Sequence, residues 1–196
     1  LDSDADRINL QKRLLEICEA TGDRFAILDA AENQGVKEVL LLRSQLGSSY
    51  GALYYPWIKT YGDMESEAQC FVPPSGHIAG LISAMDRSRG PHRAAANQEM
   101  NFVFDVQHRV TSTEGALLNG RNVNSLAALP GRGVRVWGAR TLSQDSRWQY
   151  ITTRRLFIAV RRWFETIAPQ FAFEPSDFRL WLRIERQVEN HLSDLY

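Results

Sequence analysis

The sequence is poor in the residues from which metal centres and many active sites are built. It has two cysteines and four histidines in 196 residues. Cys18 and Cys70 make neither a disulfide scaffold nor a zinc-binding set. The histidines do not occur in a spacing typical of metal ligands, and no Cys-x-x-Cys pair is present. We therefore predict no metal site and no cofactor.

Several longer patterns are missing as well. No apolar run approaches the ~20 residues that span a membrane, which argues against membrane insertion. The phosphate-binding loop and the Gly-x-Ser-x-Gly nucleophile elbow are absent. Gly131, Gly133 and Gly138 imitate a dinucleotide fingerprint, but they open a predicted strand instead of joining a strand to a helix. Asp29 and Asp105 end apolar strands, yet we expect no active site there. The sequence predicts no catalytic residue, and so a protein that is not an enzyme.

Lysine is scarce, and charge is unevenly spread. The net charge is zero, but residues 1–100 hold ten Lys+Arg against fourteen Asp+Glu, while residues 101–196 hold thirteen against nine. All three lysines lie in the first half, so every cation of the second half is arginine, which suits bidentate pairing at interfaces. Head-to-tail copies could match the basic half of one to the acidic half of the next. Genome composition explains the arginine bias equally well.

The hydrophobic patterns alternate between strands and helices, which predicts a single α/β domain with a mixed β-sheet flanked by helices. The first helix, residues 4–20, is expected to bury Leu10, Leu14, Ile17 and Cys18. A polar loop is expected over 59–69. Thr111 and Glu114 have the spacing of a capping box. Further helices are predicted over 36–46, 74–87 and 111–118, and strands over 25–28, 50–58, 102–106, 125–129 and 134–140.

Two amphipathic helices are predicted to close the chain. In the first, the apolar stripe consists of Leu156, Val160, Trp163, Phe164 and Ile167, and the arginines at 154, 155, 161 and 162 lie on the other side. In the second, the predicted inner face consists of Trp181, Ile184, Val188, Leu192 and Leu195. Its outer face carries Arg179, Arg183, Arg186 and Glu189.

Residues 130–142, PGRGVRVWGARTL, combine a turn, a strand and an arginine-rich surface. Pro130 and Gly131 predict a tight turn, since proline fixes φ at the first central position and glycine accepts positive φ at the second. Along the strand, Val134 and Val136 face one way, while Arg135 and Trp137 face the other. The stretch holds no group suited to acid–base chemistry, so it favours contact with a partner.

Together with other segments in the same order, this stretch resembles the sheath protein of contractile phage tails and of related injection particles. The ordered matches cover about residues 24–196. They are YGALYYPW (50–57), VPPSGHIAG (72–80), LN (118–119), NVN (122–124), PGRGVRVWGARTL (130–142), RRLF (154–157), FEP (173–175) and RLW (179–181).

The resemblance implies a structural subunit that polymerises helically around an inner tube and contracts to drive the tube through a target envelope. It implies contacts with further copies or closely related sheath paralogues, with the inner tube, and with baseplate and terminal cap proteins. Assembly is expected in the bacterial cytoplasm, as part of a phage virion tail or an injection particle.

The resemblance also suggests that residues 1–196 form the conserved C-terminal core domain, as a fragment of a longer chain. The N- and C-terminal connector arms, which in this family add strands to neighbouring sheets, are not recognised in the sequence. Outward charged or aromatic side chains become candidate tube or lattice contacts: Arg183, Arg186, Glu185, Glu189, Arg135, Trp137, Arg154 and Arg161. The alternative is an arginine-rich α/β domain that binds nucleic acid or a nucleotide, which the neutral charge makes less favourable.

Overall fold

The computed structural model describes residues 4–62 and 68–195 and shows six α-helices and seven β-strands in that part of the chain. In chain order these are α1 (Asp4–Thr21), β1 (Ala26–Asp29), α2 (Val36–Ser44), β2 (Gly51–Tyr55), β3 (Ile58–Tyr61), β4 (Gln69–Val72), α3 (Ser75–Arg89), β5 (Asp105–Val106), α4 (Ser112–Gly120), β6 (Val123–Leu129), β7 (Gly133–Trp137), α5 (Ile151–Ile167) and α6 (Phe178–Leu195). Two short 3₁₀ segments, Ser146–Trp148 and Ala168–Phe171, precede and follow α5.

A four-stranded mixed sheet in the order β1–β2–β6–β7 forms the centre of the fold. β1, β2 and β6 run parallel, and β7 returns antiparallel to β6. All five residues of β2 are buried. This agrees with the rule that parallel strands are covered on both faces. The predicted mixed sheet flanked by helices is confirmed.

The side chains of β2 divide the core into two apolar clusters, one on each face of the sheet. Leu53 and Tyr55 belong to the first cluster, with residues of α1, α2 and α4. Ala52 and Tyr54 belong to the second, with residues of α3, β3 and β7. The alternation follows from the two-residue period of a strand.

A second, three-stranded antiparallel sheet has the order β4–β3–β5. It joins the second apolar cluster through Ile58, which is fully buried, and Val106. The predicted strand over 50–58 is therefore two strands in different sheets, with a cis peptide bond between Tyr55 and Pro56. The predicted loop over 59–69 is shortened at both ends by β3 and β4, and its residues 63–67 lie outside the described residues.

Two local signals are confirmed. Thr111 Oγ1 accepts a hydrogen bond from the Glu114 N–H, and the Glu114 carboxylate accepts one from the Thr111 N–H, which together form the predicted capping box of α4. Between β6 and β7, the Arg132 N–H donates to the Leu129 carbonyl at 3.0 Å, and Gly131 has φ of 67°. These are the features of the predicted Pro-Gly turn.

The predicted inner face of the first helix is mostly wrong. Leu10, Leu14 and Ile17 are 42–50% exposed, whereas the buried residues of α1 are Gln11, Leu15 and Cys18. The contact face is rotated around the helix by about one residue. Gln11 is buried because its amide donates to the Asp29 carbonyl at the end of β1, 2.9 Å away.

The predicted strand over 102–106 shortens to β5, Asp105–Val106. Phe102 has φ of 61°, which is the left-handed region and incompatible with a regular strand. Thr60 Oγ1 donates to the Phe102 carbonyl at 2.8 Å, so the backbone turns toward β3 before it pairs with that strand.

The two C-terminal helices differ in how they are buried. α5 buries Ile151, Arg154 and Ile158. None of the residues of α6, 178–195, is buried, and Trp181 of its predicted inner face is 64% exposed. One border of α6 contacts α5, since the Trp163 and His191 rings stack with centroids 4.1 Å apart. The predicted inner face of α6 is therefore only partly covered.

Candidate functional site

The arginine-rich hairpin of β6 and β7 is built on three glycines. Gly131 and Gly133 have positive φ values of 67° and 69°. A Cβ at Gly133 would lie 2.6 Å from the Glu99 carboxylate, and a Cβ at Gly138 would lie 2.7 Å from Asn124 Oδ1. The turn and the close approach of the chain to itself therefore account for this glycine pattern.

Arg135, a predicted contact residue, is engaged inside the chain. Its guanidinium donates to the carbonyls of Arg132 and Asn97 at 2.9 and 2.6 Å and pairs with Glu99 at 3.3 Å. Only 19% of the side chain is exposed. Trp137 has no such anchor and is 48% exposed, at one side of a groove of about 330 Å³ between α4 and β6. Of the two, Trp137 is the side chain available to a partner.

Asn124, the second residue of β6, fixes the segment that follows the hairpin. It is fully buried, donates to the carbonyls of Leu53 and Arg140, and accepts the Arg140 N–H at 2.7 Å. One amide side chain therefore bonds both backbone groups of Arg140 and the Leu53 carbonyl of the neighbouring strand β2. Sequence reasoning did not assign this role, although NVN and GAR both belong to the resemblance.

Arg154 lies inside the protein, which corrects its predicted position on the outer side of α5. It is 8% exposed, and its guanidinium lies between the Tyr50 and Trp148 rings, 4.1 and 3.7 Å from their centroids. It donates to Tyr50 Oη and Ser49 Oγ at 3.1 and 2.6 Å. Burial lowers its pKa. Stacking on two rings and hydrogen bonds from both terminal nitrogens stabilise this buried charge, so Arg154 joins α5 to the start of β2.

Two further arginines of α5 also contact the rest of the domain. Arg155 makes a two-pronged ion pair with Asp86 of α3, with both side chains mostly buried. Arg161 donates to Glu165 at 2.8 Å and lies against Gly22, where a Cβ would collide with its guanidinium. Of the predicted basic row of α5, Arg154 and Arg155 are engaged in internal contacts, whereas Arg161 and Arg162 remain exposed.

The charged residues of α6 remain largely at the surface. Arg183 pairs with Glu174 and lies over the Phe171 ring, 5.4 Å from its centroid. Glu185, Arg186 and Glu189 are exposed, and within residues 4–62 and 68–195 their charged groups form no ion pair. They are the candidate contacts that the fold leaves most available.

Asp29 ends β1 in a place where α/β enzymes often carry catalytic carboxylates. Its Oδ1 instead accepts the Ser75 N–H at 2.9 Å, so it caps α3 from a distant part of the chain. Burial raises the pKa of Asp29 to about 6. In the described part of the chain, no group of three or more His, Cys, Asp or Glu could hold a metal ion, and no helix is long and apolar enough to cross a membrane.

Comparison with known proteins identifies the fold. The sequence model described as the phage tail sheath protein central domain matches residues 1–142. The chain belongs to this family. The match ends at Leu142, the last residue of the stretch that contains the hairpin and the Asn124 contacts. The prediction that residues 1–196 form the conserved C-terminal core domain, as a fragment of a longer chain, stays a prediction.

Individual relatives agree with the family. The tail sheath protein of Burkholderia phage BcepMu is 27% identical over 132 residues, which are 64% of this chain and 27% of the relative. A chain from the helical sheath of the anti-feeding prophage in the contracted state is 31% identical, with a TM-score of 0.80 over 100% of this chain and 52% of its own length. A chain of its contracted baseplate gives 27% identity and a TM-score of 0.83, again over 100% of this chain and 53% of its own length.

This sheath domain thus spans about a quarter of the curated relative and about half of each solved chain. None of these comparisons supports the alternative of a nucleic-acid-binding domain. The structure gives a physical reason. Arg154 is buried and Arg155 is paired with Asp86, so the predicted arginine row is not a continuous surface for phosphates.

Proposed function

We propose that this sheath domain belongs to a structural subunit that assembles helically around an inner tube and contracts to drive the tube through a target envelope. The observation that most directly supports this proposal is the alignment of the whole chain with a chain of a helical sheath in the contracted state. The role is mechanical and needs no catalytic activity.

The partners follow from this role. Other copies, or closely related sheath paralogues, make up the lattice. Baseplate and terminal cap proteins bind its two ends. A head-to-tail contact that does not close on itself produces an open helical array. Assembly takes place in the bacterial cytoplasm, as part of a phage tail or an injection particle.

Electron microscopy of the full-length protein, co-produced with the tube and baseplate proteins of its own gene cluster, tests the proposal. We expect long sheathed tubes, and shorter, wider hollow sheaths after a contraction trigger. Soluble monomers in the presence of assembled bare tubes would contradict it.

The exposed charges of α6 are proposed as the tube contact. Arg186 is a better test position than Arg183. Arg183 pairs with Glu174, so a charge reversal at Arg183 would also break that internal ion pair. For an acidic tube surface, Arg186→Glu should reduce the fraction of sheathed tubes, because it replaces attraction by repulsion. Arg13→Glu on α1, an exposed helical arginine outside the candidate surface, is the matched control. Normal sheathing by Arg186→Glu at both low and high salt would rule out this contact.

A further inference from the structure

The three-stranded sheet and the segment that precedes β5 carry exposed aromatic side chains that the proposed α6 contact does not use. Tyr61, Phe71 and Phe104 are 46%, 39% and 45% exposed, and Phe102 is 75% exposed. The Tyr61 and Phe104 rings meet edge to face, with centroids 4.7 Å apart. We refer to these four residues as the aromatic patch.

The register of the sheet places Tyr61 and Phe71 on the side away from the core, and the ring contact with Tyr61 adds Phe104 to the same side. Tyr61 follows Thr60, which is buried. Phe71 pairs with Lys59, whose neighbour Ile58 is fully buried. Because successive side chains of a strand point to opposite faces, Tyr61 and Phe71 share the outer face.

The backbone at Phe102 adds a second, independent observation. Four described non-glycine residues have positive φ, and the other three are asparagines: Asn33, Asn97 and Asn122. Asparagine tolerates this conformation, whereas phenylalanine there disfavours folding by about five- to thirty-fold. Hydrogen bonds hold it in place, from Thr60 Oγ1 to the Phe102 carbonyl and from the Phe104 N–H to the Lys59 carbonyl, at 2.8 and 2.9 Å. The ring is nevertheless mostly in solvent, so its burial in this chain does not offset the strain.

The size of the patch fits the centre of a protein interface. With about 200 Å² for a whole aromatic residue, the four exposed fractions amount to about 400 Å². A standard interface buries about 800 Å² per partner, with an aromatic centre and a polar rim. The rim here consists of Lys59, Gln69 and the Arg109–Asp105 ion pair at 2.9 Å. Its mixed charge matches a protein surface and offers no row of cations to nucleic acid.

We infer that the aromatic patch is a contact surface for a neighbouring copy of this chain. The inference rests on the proposed function, because in a helical sheath the most numerous neighbours of a subunit are identical subunits. The strained, exposed Phe102 then contributes its binding energy only after assembly. A contact between this patch and a different surface of the next copy repeats without closing, as an extended lattice requires.

Photocrosslinking tests which partner covers the patch. The full-length protein, with p-benzoylphenylalanine at position 102, is co-produced with its tube and baseplate proteins, and the particles are isolated and irradiated. We expect covalent sheath–sheath dimers, identified by mass spectrometry. Crosslinks only to tube or baseplate protein, crosslinks only within the same sheath chain, or none in particles that formed normally, would overturn the inference. If the unmodified protein forms no particles, the proposed function itself fails, which separates the two results.

A substitution gives a second readout with opposite effects on folding and assembly. Phe102→Asn should raise the folding equilibrium constant of the chain about five- to thirty-fold, because it relieves the strain, and lower the particle count at least about tenfold. The matched control is Leu41→Gln, which removes another exposed apolar side chain (66% exposed, on α2). It should change both the folding equilibrium constant and the particle count by less than Phe102→Asn does. An unchanged particle count for Phe102→Asn would refute the contact, and a lower folding constant would refute the strain.

Discussion

Replacing Asp29 by asparagine tests whether burial or the nearby N-terminus of α3 determines the pKa of the Asp29 carboxyl group. Burial raises the folded-state pKa from 3.8 to about 6. The folded protein therefore holds the proton more tightly than the unfolded chain. The stability contributed by protonation is fully present below about pH 3.8 and is lost as the pH rises through about 6.

The magnitude follows from the size of the shift. Two pKa units correspond to about 3 kcal/mol of unfolding free energy in total, of which about 1.4 kcal/mol is lost between pH 5 and pH 8. A carboxylate at a helix N-terminus gains roughly 0.3–1 kcal/mol, so the capping of α3 opposes this loss without cancelling it. Asparagine has nearly the same volume and can still accept the Ser75 N–H, but it does not ionise.

Urea unfolding, followed by circular dichroism at pH 5 and pH 8, provides the measurement. The unfolding free energy of Asp29→Asn relative to the unsubstituted chain should increase by about 1.4 kcal/mol from pH 5 to pH 8. Asp105→Asn is the control, because the hydrogen bond from Arg109 lowers the pKa of Asp105. That carboxyl is ionised in both states over this range, so its difference should stay constant. A constant or decreasing difference for Asp29→Asn would show that capping outweighs burial.

Two further substitutions test the contacts around the hairpin and α5. Arg154→Lys should lower the unfolding free energy by about 1–3 kcal/mol, because an ammonium group cannot fill the planar space between two rings and reach both hydroxyls; unchanged urea unfolding would contradict the proposed role. Gly138→Ala should cost about 1–3 kcal/mol, since its Cβ would lie 2.7 Å from Asn124 Oδ1. In the control Gly76→Ala, the new Cβ has no neighbour within 4 Å, so the thermal unfolding temperature should be unchanged or slightly higher. Equal effects at both glycines would refute the steric argument.

The candidate site was only partly predictable. The sequence identified the exposed charges of α6, because the helical period separates apolar from polar positions. It could not distinguish the arginines of α5 from one another. Arg154 is buried by Tyr50 and Trp148, of which Tyr50 lies about a hundred residues earlier in the chain, and no local pattern reports such a contact. Asn124 was missed for the same reason, because its backbone partners come from another strand and from a later segment.

The sequence by itself determined the features that depend on neighbours a few residues away. The capping box of Thr111 and Glu114 and the turn at Pro130 and Gly131 need only local hydrogen bonds and allowed backbone angles. The order of the strand and helix patterns likewise indicated an α/β domain, and the ordered segments indicated the sheath family.

The tertiary structure alone decided which side of each element is covered. In α1, leucines occupy both the exposed position 14 and the buried position 15, and only the packing against β1 selects between them. The strand predicted over 50–58 became two because its halves pair with different partners. The left-handed Phe102 depends on the hydrogen bond from Thr60, which is distant in sequence. Burial and pairing are properties of surfaces that meet in space, whereas the periodicity of a sequence specifies only which surfaces are able to meet.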